Sequence, residues 1–217
     1  SNNQHHKCGD GSLAELTVFS FHPVKHIATG EGGMITTNSE ELYNKLLKLR
    51  SHGIVGQGNP DLIDNHGGWY MEMQHLGYNY RLSDIHAALG VSQLKRASAN
   101  LLRRKAIAKK YDLAFEGTAV KTIIPDSNAD HAYHLYVIKI EDRKGLYDYL
   151  RTKNIFAQVH YIPVHLMPYY KGLGTKEGDF PNAEQFYSQC LSIPMFPTLT
   201  DEEQDFVIEN ILNFVNA

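Results

Sequence analysis

Short apolar runs and helix-spaced apolar positions alternate along the first half of this chain. Residues 16–19 and 34–37 are rich in β-forming side chains and predict two strands. Ser39, or Asn38 before it, precedes two glutamates, a pattern typical of a helix start. Between residues 83 and 115 apolar side chains recur at broadly helical spacing without a proline, which predicts one long helix that bridges two domains.

The second half of the chain predicts a small α+β domain. Residues 132–140 and 156–161 are rich in β-formers and predict strands, and residues 144–153 between them predict a helix. Thr200 and Glu203 form a capping-box pattern at the start of a final helix. Strands and helices in this order indicate a layered α+β unit.

Two domains are expected, residues 1–116 and residues 117–217, divided near Gly117. Within the first, residues 53–68 contain five glycines and a proline and predict a long flexible loop. Loops of this length inside a domain are commonly functional or disordered, so we expect one of these two characters here.

The composition narrows the function classes. A net charge of −3 gives no reason to expect nucleic acid, which usually requires a basic face, and no apolar run reaches membrane-spanning length, so neither partner is expected. Cys8 and Cys190 lie far apart, and the first residues lack a signal-peptide pattern, which together predict free thiols in a cytoplasmic protein. Twelve histidines are present without zinc-type spacing, so no metal site is expected.

The sequence around Lys25 suits a catalytic lysine. Lys25 follows Ser20 by five residues, and Pro23 between them favours a turn after the first strand. Glycines in residues 29–33 let the backbone return to the second strand. We expect Lys25 to lie between two buried strands, where partial desolvation favours the neutral amine that forms a Schiff base with an aldehyde cofactor. On the residues alone, a solvated surface charge is the commoner state of a lysine near a turn.

The segment SFHPVKHIATGEGG, residues 20–33, resembles the Schiff-base segment of the DegT/StrS-type sugar aminotransferases. That resemblance implies an α/β protein with the PLP-dependent transferase fold type I (aspartate aminotransferase-like). The chain would hold the C-terminal part of the large domain, including the bridging helix, and the small α+β C-terminal domain. It also implies that Lys25 binds pyridoxal 5′-phosphate and that Ser20 donates a hydrogen bond to the phosphate. Dehydratase members of the family carry histidine in place of this lysine, so Lys25 favours transamination.

Two further segments are similar to the same family. GYNYRLSDI, residues 77–85, implies that Asn79 and Arg81 bind the cofactor phosphate across a dimer interface, although Ser83 also fits a helix cap. QVHYIPVHLMPYY, residues 158–170, implies substrate contacts by three side chains, which could equally be packed in the domain interior. These three are His160, Tyr161 and His165.

The combination of segments is most similar to the branch of the family that serves pseudaminic acid-type nucleotide-sugar biosynthesis. It implies transfer of an amino group from L-glutamate to C4 of a UDP-4-keto-6-deoxy-hexose, in a homodimer with a shared active site. A perosamine- or bacillosamine-type aminotransferase is one alternative. A non-catalytic fragment or assembly module is another, because the family places the carboxylate that pairs with the cofactor ring upstream of Ser1. On that ground we expect the isolated chain to be slow.

Overall fold

The computed structural model describes residues 6–64 and 66–217. The chain divides into two compact units between Ala97 and Ser98. Among the described residues, no helix combines the length and apolar character needed to cross a membrane.

The described residues of the first unit form two β-hairpins and two helices. Strand β1 (Thr17–Ser20) pairs antiparallel with β2 (Gly33–Thr36), and β3 (Ile54–Gly56) pairs antiparallel with β4 (Met71–Met73). The helices are α1 (Glu40–Arg50) and α2 (Asp84–Leu94). Ser39 caps α1 by accepting a hydrogen bond from the Leu42 amide at 3.3 Å, as its sequence pattern predicts.

The segment predicted as a long loop is partly structured. Its first residues form β3, whose Ile54 pairs with Met73 of β4. Gly53 allows this turn because its φ is +71° and an added Cβ would lie 1.8 Å from the His75 carbonyl oxygen. The glycine-rich composition therefore marks the ends of a hairpin as well as a loop.

The single helix predicted over residues 83–115 is wrong. α2 ends at Leu94, and α3 (Ala97–Phe115) begins three residues later. A tight turn separates them, in which the Arg96 amide donates to the Gln93 carbonyl at 3.0 Å. No proline or glycine marks this break, so the local sequence gave no signal for it.

The second unit is built around a three-stranded antiparallel sheet in the order β5 (Lys121–Thr122), β6 (Tyr136–Lys139), β7 (Cys190–Ile193). Its helices after α3 are α4 (Arg143–Thr152), α5 (Pro168–Lys171), α6 (Pro181–Gln189) and α7 (Asp201–Val215), with a 3₁₀ turn at Val164–Leu166. Thr200 and Glu203 form the predicted capping box of α7.

The apolar core of the second unit joins the sheet to three helices. Ile107 and Tyr111 of α3, Ile138 of β6, Leu150 of α4 and Ile211 of α7 are all fully buried in it. The buried apolar side chains of these helices thus face the sheet. This packing confirms the α+β architecture predicted for the end of the chain.

The strand predicted at residues 156–161 is wrong, and the strand β7 was missed. The first segment makes only one isolated bridge, between Gln158 and Ser192 of β7. β7 takes the sheet position beside β6 instead. Its four residues are all buried, and the sequence pattern of so short a buried segment does not distinguish a strand from a helix.

Arg104 lies on the inward face of α3 and is 6% exposed. Its Nη1 donates to the carbonyl oxygens of Tyr133 at 3.0 Å, His134 at 3.2 Å and Met195 at 3.0 Å. Burial lowers the pKa of this guanidinium from its ordinary value. Three carbonyl acceptors compensate for that burial, so Arg104 fixes the segments before β6 and after β7 to the helix.

Candidate active site

The lysine turn is closed by backbone hydrogen bonds at its base. β1 ends at Ser20, and the next amide, Phe21 N, donates to the Gly32 carbonyl at 2.8 Å. Thr29 N donates to the Phe21 carbonyl at 3.0 Å. The strand pair and these two bonds hold residues 21–32 as one loop.

Lys25 lies at the tip of this loop and is exposed. Its amide donates to the His22 carbonyl at 2.9 Å, which forms the turn predicted around Pro23. Ser20 is also exposed, and its Oγ accepts from the His22 amide at 3.4 Å. The Ser20 hydroxyl hydrogen therefore stays available as a donor next to the turn.

Thr29 anchors the loop from inside and is 1% exposed. Its Oγ1 donates to the Glu31 carbonyl at 2.6 Å. A Cβ added at Gly32 would lie 2.6 Å from Thr29 Oγ1 and 2.8 Å from Leu82 Cδ1, and a Cβ added at Gly90 of α2 would lie 3.0 Å from Thr29 Cγ2. The turn thus packs on Leu82, the residue directly after Arg81, and on α2.

Gly32→Ala is expected to open this loop. Gly32 has φ +149°, where an alanine costs about 1–3 kcal/mol, and its new methyl group must also displace Thr29. We expect amide hydrogen exchange at Phe21 and Thr29 to accelerate at least about tenfold, measured by NMR. Gly58→Ala is the control, since Gly58 also has a positive φ but open space around its Cβ position. Equal, small effects of both changes would contradict the packing argument.

The prediction that Lys25 lies between two buried strands is wrong. Val18 of β1 is 73% exposed, and Met34 and Ile35 of β2 are 50% and 41% exposed. A two-stranded hairpin buries its apolar side chains only where a further layer covers it. The residues described in this unit therefore do not supply the desolvation expected for Lys25.

Asn79 and Arg81 lie on an extended segment beside the end of α1. Asn79 forms an antiparallel bridge with Ser51, and the Tyr80 amide donates to the Arg50 carbonyl at 2.9 Å. Both predicted phosphate ligands are exposed. Ser83 caps α2 by accepting from the His86 amide at 3.4 Å, so the capping interpretation of this segment is also correct.

His160 and Tyr161 lie at the end of the bridged segment in the second unit. The Nδ1 atom of His160 is 2.8 Å from Ser192 Oγ of β7. The Tyr161 side chain is exposed, and its ring packs edge-on against the His160 ring with centroids 4.7 Å apart. The contact with Ser192 fixes the Nδ1 edge of the His160 ring, and the residue is only half-buried, so it also reaches the surface.

His165 is buried, in contrast to its two predicted neighbours. It is 8% exposed, and its Nε2 is 2.8 Å from Glu184 Oε1. Glu184 also accepts from the Gly178 amide at 2.8 Å, and the His165 ring packs on Phe180. These contacts tie the 3₁₀ turn to α6 and favour a structural role for His165. Sequence reasoning missed Glu184, which is 19 residues away along the chain.

The Glu184 pair gives a pH-dependent prediction. Hydrogen bonding from His165, followed by the backbone amides, lowers the pKa of Glu184 below its ordinary value. The stability that this carboxylate contributes is complete above the unfolded-state pKa, about 4.3, and is lost as pH falls through the lowered folded value. Glu184→Gln should therefore flatten the acid side of the stability curve, followed by chemical denaturation below about pH 5.

Glu177→Gln is the matched control, because Glu177 is exposed on the same connecting segment. It should leave the acid dependence close to that of the unaltered chain. An acid slope unchanged by Glu184→Gln would show that the pair does not stabilise the fold.

The first unit thus presents the Lys25 amine on a closed turn and the Ser20 hydroxyl five residues before it. This pair suits a ligand that has both a carbonyl group and an anionic group. The family model for DegT/DnrJ/EryC1/StrS aminotransferases matches residues 2–212. The chain belongs to this family, as its sequence segments predicted.

Curated relatives and solved structures agree with this assignment. The spore coat polysaccharide biosynthesis protein SpsC of Bacillus subtilis is 40% identical over 216 residues, which are 95% of this chain and 55% of SpsC. The UDP-4-amino-4,6-dideoxy-N-acetyl-beta-L-altrosamine transaminase of Campylobacter jejuni is 38% identical over 211 residues, 94% of this chain and 54% of the relative.

Among solved structures, Spr1654 of Streptococcus pneumoniae superposes with a TM-score of 0.87 in its PMP form and 0.85 in its PLP form, at 31% identity. The match covers 95% of this chain and 54% and 53% of the two Spr1654 chains. These superpositions confirm the predicted fold. The chain has the fold of one part of a fold type I transferase. This chain spans about half the length of the curated relatives that it matches.

Proposed function

We propose that this chain acts in a PLP-dependent sugar aminotransferase that moves an amino group from L-glutamate to C4 of a UDP-4-keto-6-deoxy-hexose. The observation that carries the proposal is the closed turn with Lys25 at its tip and Ser20 at its base, in a chain that matches the aminotransferase family over residues 2–212. The family match favours an enzyme over the non-catalytic module that the sequence left open. Relatives named as nucleotide-sugar transaminases support the substrate class.

The exposed residues of the first unit fit pyridoxal 5′-phosphate. Lys25 offers a primary amine for its aldehyde, and Ser20 offers a hydroxyl donor for its phosphate. Asn79 and Arg81 are exposed amide and guanidinium donors that suit phosphate oxygens, in our proposal those of the partner's site in a homodimer. The PLP and PMP forms of Spr1654 support the choice of cofactor. When bound, this cofactor supplies the electron sink for carbanion chemistry.

Lys25 has two tasks in this proposal. Its Nζ would hold the cofactor before the amino donor arrives. Once released, it would take the proton from Cα of L-glutamate and, in the second half of the reaction, help deliver a proton to C4 of the sugar. The turn hydrogen bond from Lys25 N to the His22 carbonyl keeps the backbone of this lysine in one place during both tasks. Ser20 ends β1 and Lys25 lies on the loop that follows directly, so the closed hairpin keeps the spacing between the phosphate donor and the base.

His160 and Tyr161 are our proposed contacts to the nucleotide-sugar. They combine a ring nitrogen, a phenol and a flat apolar surface, a combination suited to a sugar nucleotide. Tyr161 is exposed and His160 reaches the surface, whereas His165 is buried against Glu184. We therefore assign His165 to the support of this segment.

The substrate proposal is tested by following amination of a set of UDP-4-keto-6-deoxy-hexoses that differ in ring configuration, with L-glutamate as donor. We expect turnover of the pseudaminic acid-type substrate to exceed that of the others by at least about tenfold. Preference for a bacillosamine-type or perosamine-type keto-sugar would move the chain to that branch of the family. Absence of amino transfer from L-glutamate to every keto-sugar would contradict the proposal.

A further inference from the structure

β7 contains one hydroxyl in an otherwise apolar, buried strand. Its residues are Cys190, Leu191, Ser192 and Ile193, and each of them is at most 6% exposed. A buried hydroxyl is unfavourable unless it forms a hydrogen bond. An apolar β-former would suit this position better if only packing mattered. We therefore expect the Ser192 hydroxyl to form a hydrogen bond with a specific side chain.

The partner of that hydroxyl is His160. The Ser192 Oγ atom lies 2.8 Å from His160 Nδ1, across 32 positions of the chain. The Ser192 backbone is already engaged, since its amide donates to the Gln158 carbonyl at 2.7 Å and its carbonyl accepts from the Gln158 amide at 2.9 Å. These two bonds hold the segment that carries His160 against β7, so Ser192 contacts it through backbone and side chain together.

Hydrogen-bond satisfaction decides the direction of this contact. Among the described residues, His160 Nδ1 is the hydrogen-bond partner of the Ser192 hydroxyl. If Nδ1 carried the proton, the buried hydroxyl hydrogen would have no acceptor, at a cost of about 1–3 kcal/mol. The arrangement in which Oγ donates to Nδ1 satisfies both of these atoms. A neutral imidazole that accepts at Nδ1 carries its proton on Nε2.

We propose that Ser192 is a positioning residue that holds neutral His160 as the Nε2–H tautomer and so presents a hydrogen-bond donor to an acceptor oxygen of the nucleotide-sugar. The contact with the nucleotide-sugar rests on the proposed function, whereas the tautomer of His160 does not. Tyr161, whose exposed ring packs edge-on against His160, extends the same surface. An Nε2–H donor suits a phosphate, hydroxyl or carbonyl oxygen, whereas the other tautomer would present an acceptor.

The tautomer can be measured without any enzyme assay. Long-range ¹H–¹⁵N NMR of the ¹⁵N-labelled chain at about pH 8.5, where neutral imidazole is the ordinary state, distinguishes the protonated ring nitrogen from the bare one. We expect His160 to show a bare Nδ1 and a protonated Nε2. In Ser192→Ala this preference should be lost and a mixture of tautomers should appear. Ser192→Thr, which keeps the hydroxyl, should restore the single tautomer.

Ser188→Ala is the control, because the Ser188 hydroxyl donates to the Gln185 carbonyl on α6 and has no contact with His160. It should leave the His160 signals unchanged. A protonated Nδ1 in the unaltered chain, or the same tautomer in Ser192→Ala, would overturn the proposal. The first of these results needs no variant, so a variant that failed to fold could not hide it.

Addition of UDP-N-acetylglucosamine tests the substrate contact separately. Binding should shift the His160 Nε2–H resonance, and Ser192→Ala should weaken the measured affinity about tenfold, as expected for one lost orienting hydrogen bond. L-Glutamate added alone should leave that resonance unshifted. A shift caused by L-glutamate and not by the nucleotide-sugar would overturn the assigned ligand. Failure of both ligands to shift a His160 held as Nε2–H would count against the proposed function and leave the role of Ser192 intact.

Discussion

Lys25→Ala is expected to lower the rate of amino transfer by at least about 10³-fold. The variant loses the amine that holds the cofactor and also the base that moves the substrate proton, and base catalysis alone is worth about 10²–10⁴-fold. The effect should fall on kcat, because the loss concerns the chemical step more than nucleotide-sugar binding. Steady-state amination of the UDP-4-keto-sugar by the two proteins measures it.

Lys45→Ala is the control for this variant. Lys45 is an exposed lysine on α1 in the same unit, so its loss removes an equal charge without touching the lysine turn. Its turnover should stay within about twofold of the unaltered chain, since exposed substitutions seldom change stability by more than about 0.5 kcal/mol. Activity retained in Lys25→Ala at the level of Lys45→Ala would remove Lys25 from the mechanism.

Leu150→Ala is expected to lower the free energy of unfolding of the second unit by about 2–5 kcal/mol. Leu150 of α4 is 0% exposed and belongs to the core that joins the sheet to α3 and α7. Truncation removes buried methyl groups and leaves a cavity, and both effects destabilise the fold. Urea denaturation followed by near-ultraviolet circular dichroism reports on this unit, because Tyr111 and Tyr136 are packed in its core.

Leu113→Ala makes the same chemical change at an exposed position. Leu113 lies on α3 and is 64% exposed, so little apolar contact is lost and alanine is an equally good helix former. We expect a change below about 1 kcal/mol. Similar destabilisation by both variants would mean that the core has been assigned to the wrong helix faces.

The sequence predicted those features whose cause is local. Ser39 and Thr200 act as helix caps because a side-chain oxygen needs only an amide two or three residues away. The turn at Lys25 was predicted because Pro23 restricts the backbone directly and the glycines after it allow the chain to bend back. The family resemblance rests on these same segments, which explains why fold and family could be read together.

The errors concern contacts made at a distance. β7 was missed, and residues 156–161 were predicted as a strand, because position in the sheet depends on which segment pairs with β6. The pairs of His160 with Ser192 and of His165 with Glu184 span 32 and 19 positions. No local pattern joins such residues. Sequence reasoning grouped the two histidines as substrate contacts, whereas tertiary packing separates a half-buried ring from a buried one.

The exposure of Lys25 shows the same limit. Apolar residues on both sides of the lysine turn suggested buried strands, and the β-propensity was correct, since β1 and β2 form. Burial needs a covering layer, which a strand pattern does not specify. Propensity and burial are thus separate predictions, and only the first was confirmed for this hairpin.

The central claim is that Lys25 is the residue that binds pyridoxal 5′-phosphate. It is tested most directly by mixing the purified chain with this cofactor, reducing with borohydride and mapping the modified peptides by mass spectrometry. We predict one modified residue, Lys25, and no modification of the same peptide in Lys25→Ala. Modification spread over exposed lysines such as Lys45, or none at all, would contradict the assignment of this turn as the cofactor site.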